Sequence, residues 1–198
     1  MSNTIPVHEK FFAFQGEGDH MGRSAYFIRT FGCPLKCPWC DSAGTWHPDY
    51  IPETIDRESI ILLAEEATSF GAEFVVLTGG EPTVHKKTLP ILCEEIKKRG
   101  VPVHLETSGA FEMDKENFDW ITLSPKLSKL PTEYMLKTAH ELKIIVDDEN
   151  AIEFWVDKVS ELLADSGPTH YHSIWLHPEW SRKDDPLILN AISEFVKH

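Results

Sequence analysis

Short apolar segments alternate with longer amphipathic segments along most of the chain. The apolar segments are rich in β-branched and aromatic residues, which is typical of strands. About six strands are predicted, at residues 24–31, 72–82, 101–109, 119–126, 141–147 and 171–177. The amphipathic segments repeat every three to four residues, as helices do. Helices are predicted at residues 54–71, 87–100, 131–140, 149–165 and 185–197.

This alternation of strands with helices predicts βα units joined into a parallel sheet. A complete eightfold barrel typically needs about 250 residues, whereas this chain has 198. The predicted fold class is therefore α/β, a partial (open) TIM-like barrel of about six parallel βα units. No linker or shift in composition interrupts the pattern, so residues 1–198 are predicted to form a single domain.

Polar or small residues follow the predicted strands. The carboxyl ends of parallel strands meet at one edge of a sheet, which is where ligands bind in such folds. These side chains are therefore expected to share one mouth. They are Cys33, Thr78-Gly79-Gly80-Glu81, Glu106-Thr107-Ser108, Ser124-Pro125-Lys126 and His177.

Composition and charge narrow the classes of function. The residues are 41% hydrophobic and 26% charged, with a net charge of −13. An acidic surface without a basic stripe argues against nucleic-acid binding. The sequence contains neither an apolar run of the ~18 residues that a bilayer crossing needs nor the apolar core of a signal peptide. A cytoplasmic protein with no membrane association is expected.

Three of the four cysteines lie on one short loop, in the segment "TFGCPLKCPWCDSAGTW". Cys33, Cys37 and Cys40 have the spacing C-x3-C-x2-C, and thiolates bind zinc or iron–sulfur clusters. A structural zinc site needs four ligands, and the candidates for the fourth, His47 and Asp41, have no usual finger spacing. Three thiolates would leave one iron of a 4Fe–4S cluster free for a cofactor. Cys93 lies on the apolar face of a predicted helix and is expected to be an inert core residue.

The cysteine spacing, with Trp39 directly before Cys40, resembles the signature of the radical S-adenosylmethionine (SAM) superfamily. "TGGEP" at 78–82 is similar to the GGE motif of that superfamily, and "ETSG" and "SPK" stand at later strand ends. The resemblance implies a 4Fe–4S cluster on residues 32–50 whose open iron holds SAM. It also implies a set of SAM contacts. These are Trp39, Gly79, Gly80, Glu81, Glu106, Ser108, Ser124, Pro125, Lys126 and His177.

Further motifs resemble one family within that superfamily, the 7-carboxy-7-deazaguanine synthases. "FFAFQGEGDHMGRSAYFIRT" and "CDSAGTW" carry this likeness, which extends from about residue 6 to about residue 180. It implies ring contraction of 6-carboxy-5,6,7,8-tetrahydropterin to 7-carboxy-7-deazaguanine with release of ammonia, in queuosine and 7-deazapurine biosynthesis. A carbon–nitrogen lyase assisted by magnesium, with SAM regenerated, is therefore expected.

The resemblance also implies roles for residues around the substrate. Glu17 is expected to accept N–H groups from the guanine-like edge of the pterin, together with Gln15 and the backbone of Phe14 and Gly16. Arg29 offers a planar fork to the substrate carboxylate, and Thr78 would also contact substrate. Ser42 would bind Mg²⁺, which takes few protein oxygens.

Simpler interpretations stand beside these roles. Gly79-Gly80 is compatible with a plain β-to-α turn, and Glu81 with an acid at a helix N-terminus. Arg29 could pair with a surface acid, Ser42 could cap its loop, and Q-G-E-G could be a glycine turn. Lys126 could be a solvated surface residue, and His177 a buried structural one. The other histidines lack zinc-type spacing and are expected at the surface or in packing roles: His8, His20, His47, His85, His104, His140, His170, His172 and His198.

Two alternatives to the synthase remain at this stage. A radical SAM activase, which generates a glycyl radical on a partner protein, would share the cysteine spacing, and an interaction module binding zinc or a cluster would lack catalysis. Family members commonly continue past the last helix into a strand with a Gln-x-His-Lys-like tail. This chain ends at "AISEFVKH", so the far side of the pocket is expected either to be closed by a dimer partner or to be left open to a different substrate. A homodimer and a flavodoxin-type electron donor are the expected partners besides the small-molecule pterin.

Overall fold

The computed structural model describes residues 3–164 and 171–197 of the chain. Within them lies one eight-stranded sheet, ordered β3-β1-β2-β4-β5-β6-β7-β8. The strands are β1 Thr4–Phe14, β2 Ser24–Thr30, β3 Arg57–Ser59, β4 Phe74–Gly79, β5 Val103–Thr107, β6 Trp120–Leu123, β7 Glu141–Val146 and β8 Ser173–Pro178. The helices are α1 Ile60–Ser69, α2 Leu89–Lys97, α3 Glu133–Thr138, α4 Ala151–Leu162 and α5 Pro186–Val196.

The sheet confirms the predicted fold class. Strands β2 and β4 to β8 pair in parallel in chain order, which gives the six predicted units. Strands β3 and β8 are the edges of the strand order, so the barrel is open. Strand β1 was not predicted; it pairs antiparallel with β2 and extends the sheet beyond the βα repeat.

The predicted start of the first helix was wrong. The pattern at 54–71 reads as one helix, but α1 begins at Ile60. Residues 57–59 instead form the short strand β3, which pairs antiparallel with residues 4–6 of β1. A strand partner distant in sequence has overridden the local helical preference.

Alternation along each strand separates the two faces of the sheet. In β4, Val75 and Leu77 belong to the main core between sheet and helices. Phe74 and Val76 belong to a separate cluster with Phe27 of β2, on the concave face. The continuous apolar run of β4 therefore reflects burial on both faces, as expected for a central parallel strand.

The loop between β1 and β2 (residues 15–23, the hairpin loop) closes the end of the barrel opposite the strand carboxyl ends. The backbone N–H of Asp19 donates to Glu141 Oε2 over 3.0 Å. The His20 ring packs 4.5 Å, between centroids, from both His104 and Trp120. Histidine packing at these positions agrees with the sequence expectation, whereas His170 and His198 lie outside the described residues. The hairpin loop thus forms a floor under the barrel interior.

No helix among the described ranges is both long enough and apolar enough to cross a lipid bilayer.

Candidate active site

A polar cavity of about 460 Å³ opens at the carboxyl ends of the parallel strands. We call it the mouth cavity. Most of the residues predicted for the site line it, although they come from seven separate stretches of chain. These are Gly16, Glu17, Arg29, Cys33, Cys37, Trp39, Cys40, Ser42, Thr78, Gly79, Gly80, Glu81, Glu106, Ser108, Ser124, Lys126 and His177. A second cavity, of about 490 Å³, lies on the outer side between α4 and β7–β8; it is mainly apolar and gathers none of these groups.

Three residues predicted for the site do not line the mouth cavity. Gln15 instead lines a small pocket directly beneath it. Phe14 pairs with Ser24 at the end of β1, and its side chain is 71% exposed. Pro125 is buried between lining residues. Only the backbone of Phe14 is therefore oriented by the fold, which is the part that the sequence argument used.

The cysteine loop presents its three thiols to the mouth cavity. Its path depends on a left-handed residue, Lys36 (φ 52°), and on a turn in which the Cys40 N–H donates to the Cys37 carbonyl over 3.2 Å. Among the described residues, no three His, Cys, Asp or Glu side chains converge as the ligands of a single ion would. A cubane binds each thiolate to a different iron, so the thiol set fits a cluster better than mononuclear zinc.

The thiols of this loop are partly buried. Burial raises the pKa of Cys33 and of Cys37, against the opposing effects of backbone hydrogen bonds on Cys33 and of the Lys126 charge on Cys37. Metal binding must therefore displace protons from these two thiols, since the thiolate is the ligand.

The twin glycines bring the end of β4 against β2 and the cysteine loop. A Cβ on Gly79, whose φ is +127°, would lie 2.2 Å from the Thr30 backbone nitrogen. A Cβ on Gly80 would lie 2.4 Å from the Gly32 carbonyl oxygen and 3.0 Å from the Cβ of Cys33. The two glycines are therefore required by close packing beside the thiols, which a plain turn would not demand.

The Glu81 carboxylate is 1% exposed and accepts five hydrogen bonds from protein groups. Its Oε1 accepts from the hydroxyls of Thr83 and Thr107, each over 2.6 Å. Its Oε2 accepts from the backbone N–H of Ser108 over 2.8 Å and from the Ser108 hydroxyl. It also caps the 3-10 turn at Pro82–Val84, as the helix-terminus interpretation expected. Its carboxylate therefore ties the ends of β4 and β5 together, and its backbone N–H, which donates to the Gly32 carbonyl over 2.9 Å, ties the end of β4 to the start of the cysteine loop.

Arg29 and Ser42 are in direct contact at one side of the mouth cavity. Arg29 donates from Nη1 to Ser42 Oγ over 2.8 Å and from Nε to Glu9 Oε1 over 2.7 Å. Ser42 Oγ in turn donates to Asp41 Oδ1 over 3.0 Å. Arg29 thus does pair with a surface acid, because Glu9 is half exposed. Its guanidinium also lines the mouth cavity. The Ser42 hydroxyl and the Asp41 carboxylate are oxygen donors of the type that Mg²⁺ prefers.

The floor of the mouth cavity carries two carboxylates. Glu106 accepts from the Thr78 hydroxyl over 2.9 Å and from the Gln15 amide over 3.1 Å. Glu17 accepts from Lys143 Nζ over 2.5 Å. Glu106, predicted as a SAM contact, is therefore joined to residues predicted for the substrate.

Lys126 lies on the cysteine side of the cavity rather than at the surface. Its Nζ donates to the carbonyl and hydroxyl oxygens of Ser124, over 2.7 and 2.6 Å, and lies 5.6 Å from the Trp39 ring centroid. Burial, and then the charge of Lys143, lowers the pKa of Lys126 to about 8. Burial likewise lowers the pKa of His177.

Several lining residues were missed by the sequence argument. They are Leu35, Asp41, Thr122, Lys143, Ile145, Pro178, Glu179, Trp180 and Lys183. Strand alternation would have found Thr122, since it shares a face of its strand with Ser124, which was predicted at the end of that strand. Lys143 and Ile145 share one face of β7, but no site residue was predicted at the end of that strand. Trp180, 73% exposed at the rim and 4.7 Å from Lys183 Nζ, had no such signal.

Comparisons with known proteins, by family, by sequence and by structure, agree with one another. The family described as the radical SAM superfamily matches residues 27–128. A curated protein named 7-carboxy-7-deazaguanine synthase, from Synechocystis sp., is 39% identical over 87% of this chain and 79% of its own length. Proteins of the same name from Flavobacterium psychrophilum and Escherichia coli K12 are each 35% identical, over 95% and 91% of this chain and 84% and 86% of their own lengths. The crystal structure of QueE from Escherichia coli superimposes with a TM-score of 0.78 at 32% identity, covering 98% of this chain and 90% of that one.

Proposed function

The chain belongs to the 7-carboxy-7-deazaguanine synthase family of the radical SAM superfamily, and on that premise we propose that it converts 6-carboxy-5,6,7,8-tetrahydropterin into 7-carboxy-7-deazaguanine. Ammonia is released, and the product enters 7-deazapurine and queuosine biosynthesis. The relatives share the synthase name over most of this chain, so the glycyl-radical activase alternative has no support.

One observation supports this proposal above the others. The mouth cavity is lined both by the three thiols and by hydrogen-bonding groups suited to a flat, polar substrate, with Glu17 and Arg29 among the latter. A protein-docking activase needs no cavity with hydrogen-bonding groups placed for a small molecule. A chamber that can hold a cofactor and a small molecule together is the basic requirement of the reaction.

The residues fit a 4Fe–4S cluster and SAM. Cys33, Cys37 and Cys40 would hold the cluster, and when bound it supplies the electron that splits SAM into a hydrogen-abstracting 5′-deoxyadenosyl radical. The backbone of Gly80 approaches the cysteine loop, and that of Gly79 approaches β2, closely enough to exclude even a methyl group. The SAM contacts at later strand ends would be Glu106, Ser108, Ser124, Pro125, Lys126 and His177, with Trp39 and Glu81 beside the cysteines.

On the substrate side, each proposed role matches the chemistry of the side chain. Glu17 would accept N–H groups from the pterin edge, with Gln15, Thr78 and the backbone of Phe14 and Gly16 completing recognition. A buried polar edge left unpaired costs about 1–3 kcal/mol per group, so these contacts would discriminate well. The contact between Arg29 and Ser42 supports a shared role. Arg29 would bind the substrate carboxylate beside a magnesium ion held by Ser42.

Three further expectations belong to the proposal. The chain acts in the cytoplasm, as a homodimer, with an electron donor of the flavodoxin type. The family relationship and the absence of a membrane-spanning helix among the described residues support the first. The other two follow from family membership alone and are tested by sedimentation and by reduction of the reconstituted protein.

Turnover tests the proposal. After anaerobic reconstitution, the protein should hold about four irons and four sulfides per chain. With reductant, SAM, Mg²⁺ and 6-carboxy-tetrahydropterin, it should form 7-carboxy-7-deazaguanine, ammonia and only substoichiometric deoxyadenosine. One zinc per chain, or stoichiometric deoxyadenosine with unchanged pterin, would overturn it.

A further inference from the structure

Lys143 is a charged side chain on the floor of the mouth cavity that no catalytic role has yet used. It lies on β7 between Leu142 and Ile144, both of which face the main core. Strand alternation therefore turns Lys143 to the concave side. Its side chain is 19% exposed and lines both the mouth cavity and the small pocket beneath it.

The ammonium group of Lys143 is paired with Glu17. Its Nζ lies 2.5 Å from Glu17 Oε2, and among residues 3–164 and 171–197 no other cation makes an ion pair with Glu17. Burial alone would lower the pKa of Lys143, but Glu106 and Glu17 outweigh it, so that its pKa is raised. Burial raises the pKa of Glu17, and Lys143 more than offsets this effect, so that the pKa of Glu17 is lowered.

A second carboxylate, that of Glu106, lies near the ion pair between Lys143 and Glu17 and adds negative charge to the cavity floor. Both Glu106 oxygens accept from neutral donors, the Thr78 hydroxyl and the Gln15 amide, and no cation among the described residues is in hydrogen-bond contact with this carboxylate. Two carboxylates in one partly buried space favour protonation of one of them unless a cation is close. Lys143 interacts electrostatically with both carboxylates, and its effect on the pKa of Glu17 is larger than the effects of His177 and Lys126, which also lower it.

We propose that Lys143 is a positioning residue for pterin recognition, which keeps Glu17 ionised and aimed at the N–H groups of the substrate edge. This inference rests on the proposed function, because it takes Glu17 as the pterin acceptor. Lys143 holds Oε2, and Glu17 lines the mouth cavity, so the second carboxylate oxygen is the acceptor that the proposal assigns to the substrate. The floor therefore selects a donor-rich, guanidine-like edge over an edge that presents acceptors.

The test compares the reconstituted Lys143→Met variant with wild type in pterin turnover over a range of pH. A displaced catalytic contact can cost on the order of 100-fold, so we expect kcat/KM to fall by about 10- to 100-fold, chiefly through KM. The iron and sulfide content of the reconstituted variant should equal that of wild type. The acidic limb of the kcat/KM profile should move to higher pH, because Glu17 loses the cation that lowers its pKa. Lys143→Arg, which keeps the charge, should recover part of the loss.

A double-mutant cycle separates positioning from a merely structural role. If Lys143 acts through Glu17, the Glu17→Gln/Lys143→Met double variant should be no worse than the worse single variant. Lys158→Met is the matched control, because Lys158 makes a 2.5 Å pair with Glu161 on the outer face of α4. It should leave turnover unchanged.

The outcomes distinguish the inference from the function on which it rests. Additive losses, an unmoved pH profile, or Lys143→Met kinetics equal to wild type would overturn the role of Lys143 and leave the synthase intact. A Lys143→Met protein that loses its cluster or fails to fold, together with a Lys143→Arg protein that shows no recovery, would also count against positioning. Failure of wild type itself to convert the pterin would remove the proposed function and this inference together.

Discussion

The guanidinium of Arg29 donates to the hydroxyl of Ser42 over 2.8 Å, so the residue proposed for the substrate carboxylate touches the one proposed for magnesium. Glu9 lies opposite Arg29 in the β1–β2 ladder and accepts a hydrogen bond from Nε of the same guanidinium. Arg29 is therefore oriented from two sides before any ligand arrives. A carboxylate and its metal ion would meet at one point on the cavity wall.

Replacing Arg29 should weaken pterin binding without removing the cluster. For Arg29→Ala we expect KM for the pterin to rise by about 10- to 100-fold, as the loss of a charge-assisted, bidentate contact implies. Iron content and pterin-independent SAM cleavage should stay at wild-type values. Arg99→Ala is the control, since Arg99 pairs with Glu95 on the surface of α2. Loss of iron from Arg29→Ala would contradict its assignment to substrate.

The cysteines should divide into three that are essential and one that is not. Cys37→Ala is expected to abolish deoxyadenosine formation, because two thiolates cannot hold the cluster in place of three. Cys93 is 1% exposed in the core, and burial raises the pKa of its thiol to about 12, so Cys93→Ala should keep iron content and turnover. Iron analysis and chromatography of the SAM products provide the measurements. Retained SAM cleavage in Cys37→Ala would reject the ligand assignment.

Adding one methyl group at Gly79 should destabilise the whole protein. The new Cβ would lie 2.2 Å from backbone nitrogen, at a φ of +127° that side chains rarely adopt. We expect Gly79→Ala to lose about 3 kcal/mol or more in the free energy of unfolding, measured by anaerobic urea denaturation. Gly22→Ala is the matched control: its φ is +84°, but the space around it is open. It should lose only about 1–2 kcal/mol. Equal losses would show that crowding beside Thr30 is unimportant.

The histidine packing beneath the barrel should make the fold sensitive to acid. Burial, and then the charge of His20, lowers the pKa of His104 to about 3, while an unfolded histidine titrates near 6.5. Below about pH 6.5 the His104 imidazole is protonated in the unfolded chain but stays neutral in the folded chain. The free energy of unfolding therefore falls as the pH drops from about 6.5 towards 3. Between pH 8 and pH 5 this one group accounts for about 2 kcal/mol.

His104→Phe should therefore reduce the loss of stability between pH 8 and pH 5, measured by urea denaturation at each pH. Phenylalanine keeps the stacked contact with Phe74, whose ring centroid lies 3.9 Å away. His47→Phe, in the cysteine loop and outside this packing, is the control and should show the wild-type loss. If His104→Phe showed the same loss as wild type, the acid sensitivity would have another source.

The sequence allowed the parallel part of the fold and most of the cavity lining to be predicted. Each of the six parallel strands carries its own apolar signal, and each strand end carries polar residues that topology must bring together. Strand β3 was missed because its pairing with residues 4–6 is contact over a long sequence separation, which no local pattern encodes. The same reason hid the pairing of Lys143 with Glu17, 126 residues apart.

The sequence also could not show that a side chain predicted to bind a ligand is instead hydrogen-bonded by other groups of the protein. The Glu81 carboxylate was expected to meet SAM, yet five protein donors occupy it. Those donors come from Thr83, Thr107 and Ser108, and whether their hydroxyls turn towards Glu81 is decided by packing at the ends of β4 and β5. A motif identifies which residues stand near a cofactor, whereas the fold decides which atoms remain free.

The residues of the hairpin loop that reach the cavity floor and the residues proposed to generate the radical are encoded by separate segments of the sequence. Residues 15–23 supply Gln15, Gly16 and Glu17 to the floor, while the thiols and twin glycines come from other segments at the opposite end of the strands. Changes confined to that short contiguous stretch could therefore alter the contacts with one edge of the substrate, and the radical-generating apparatus would be inherited unaltered.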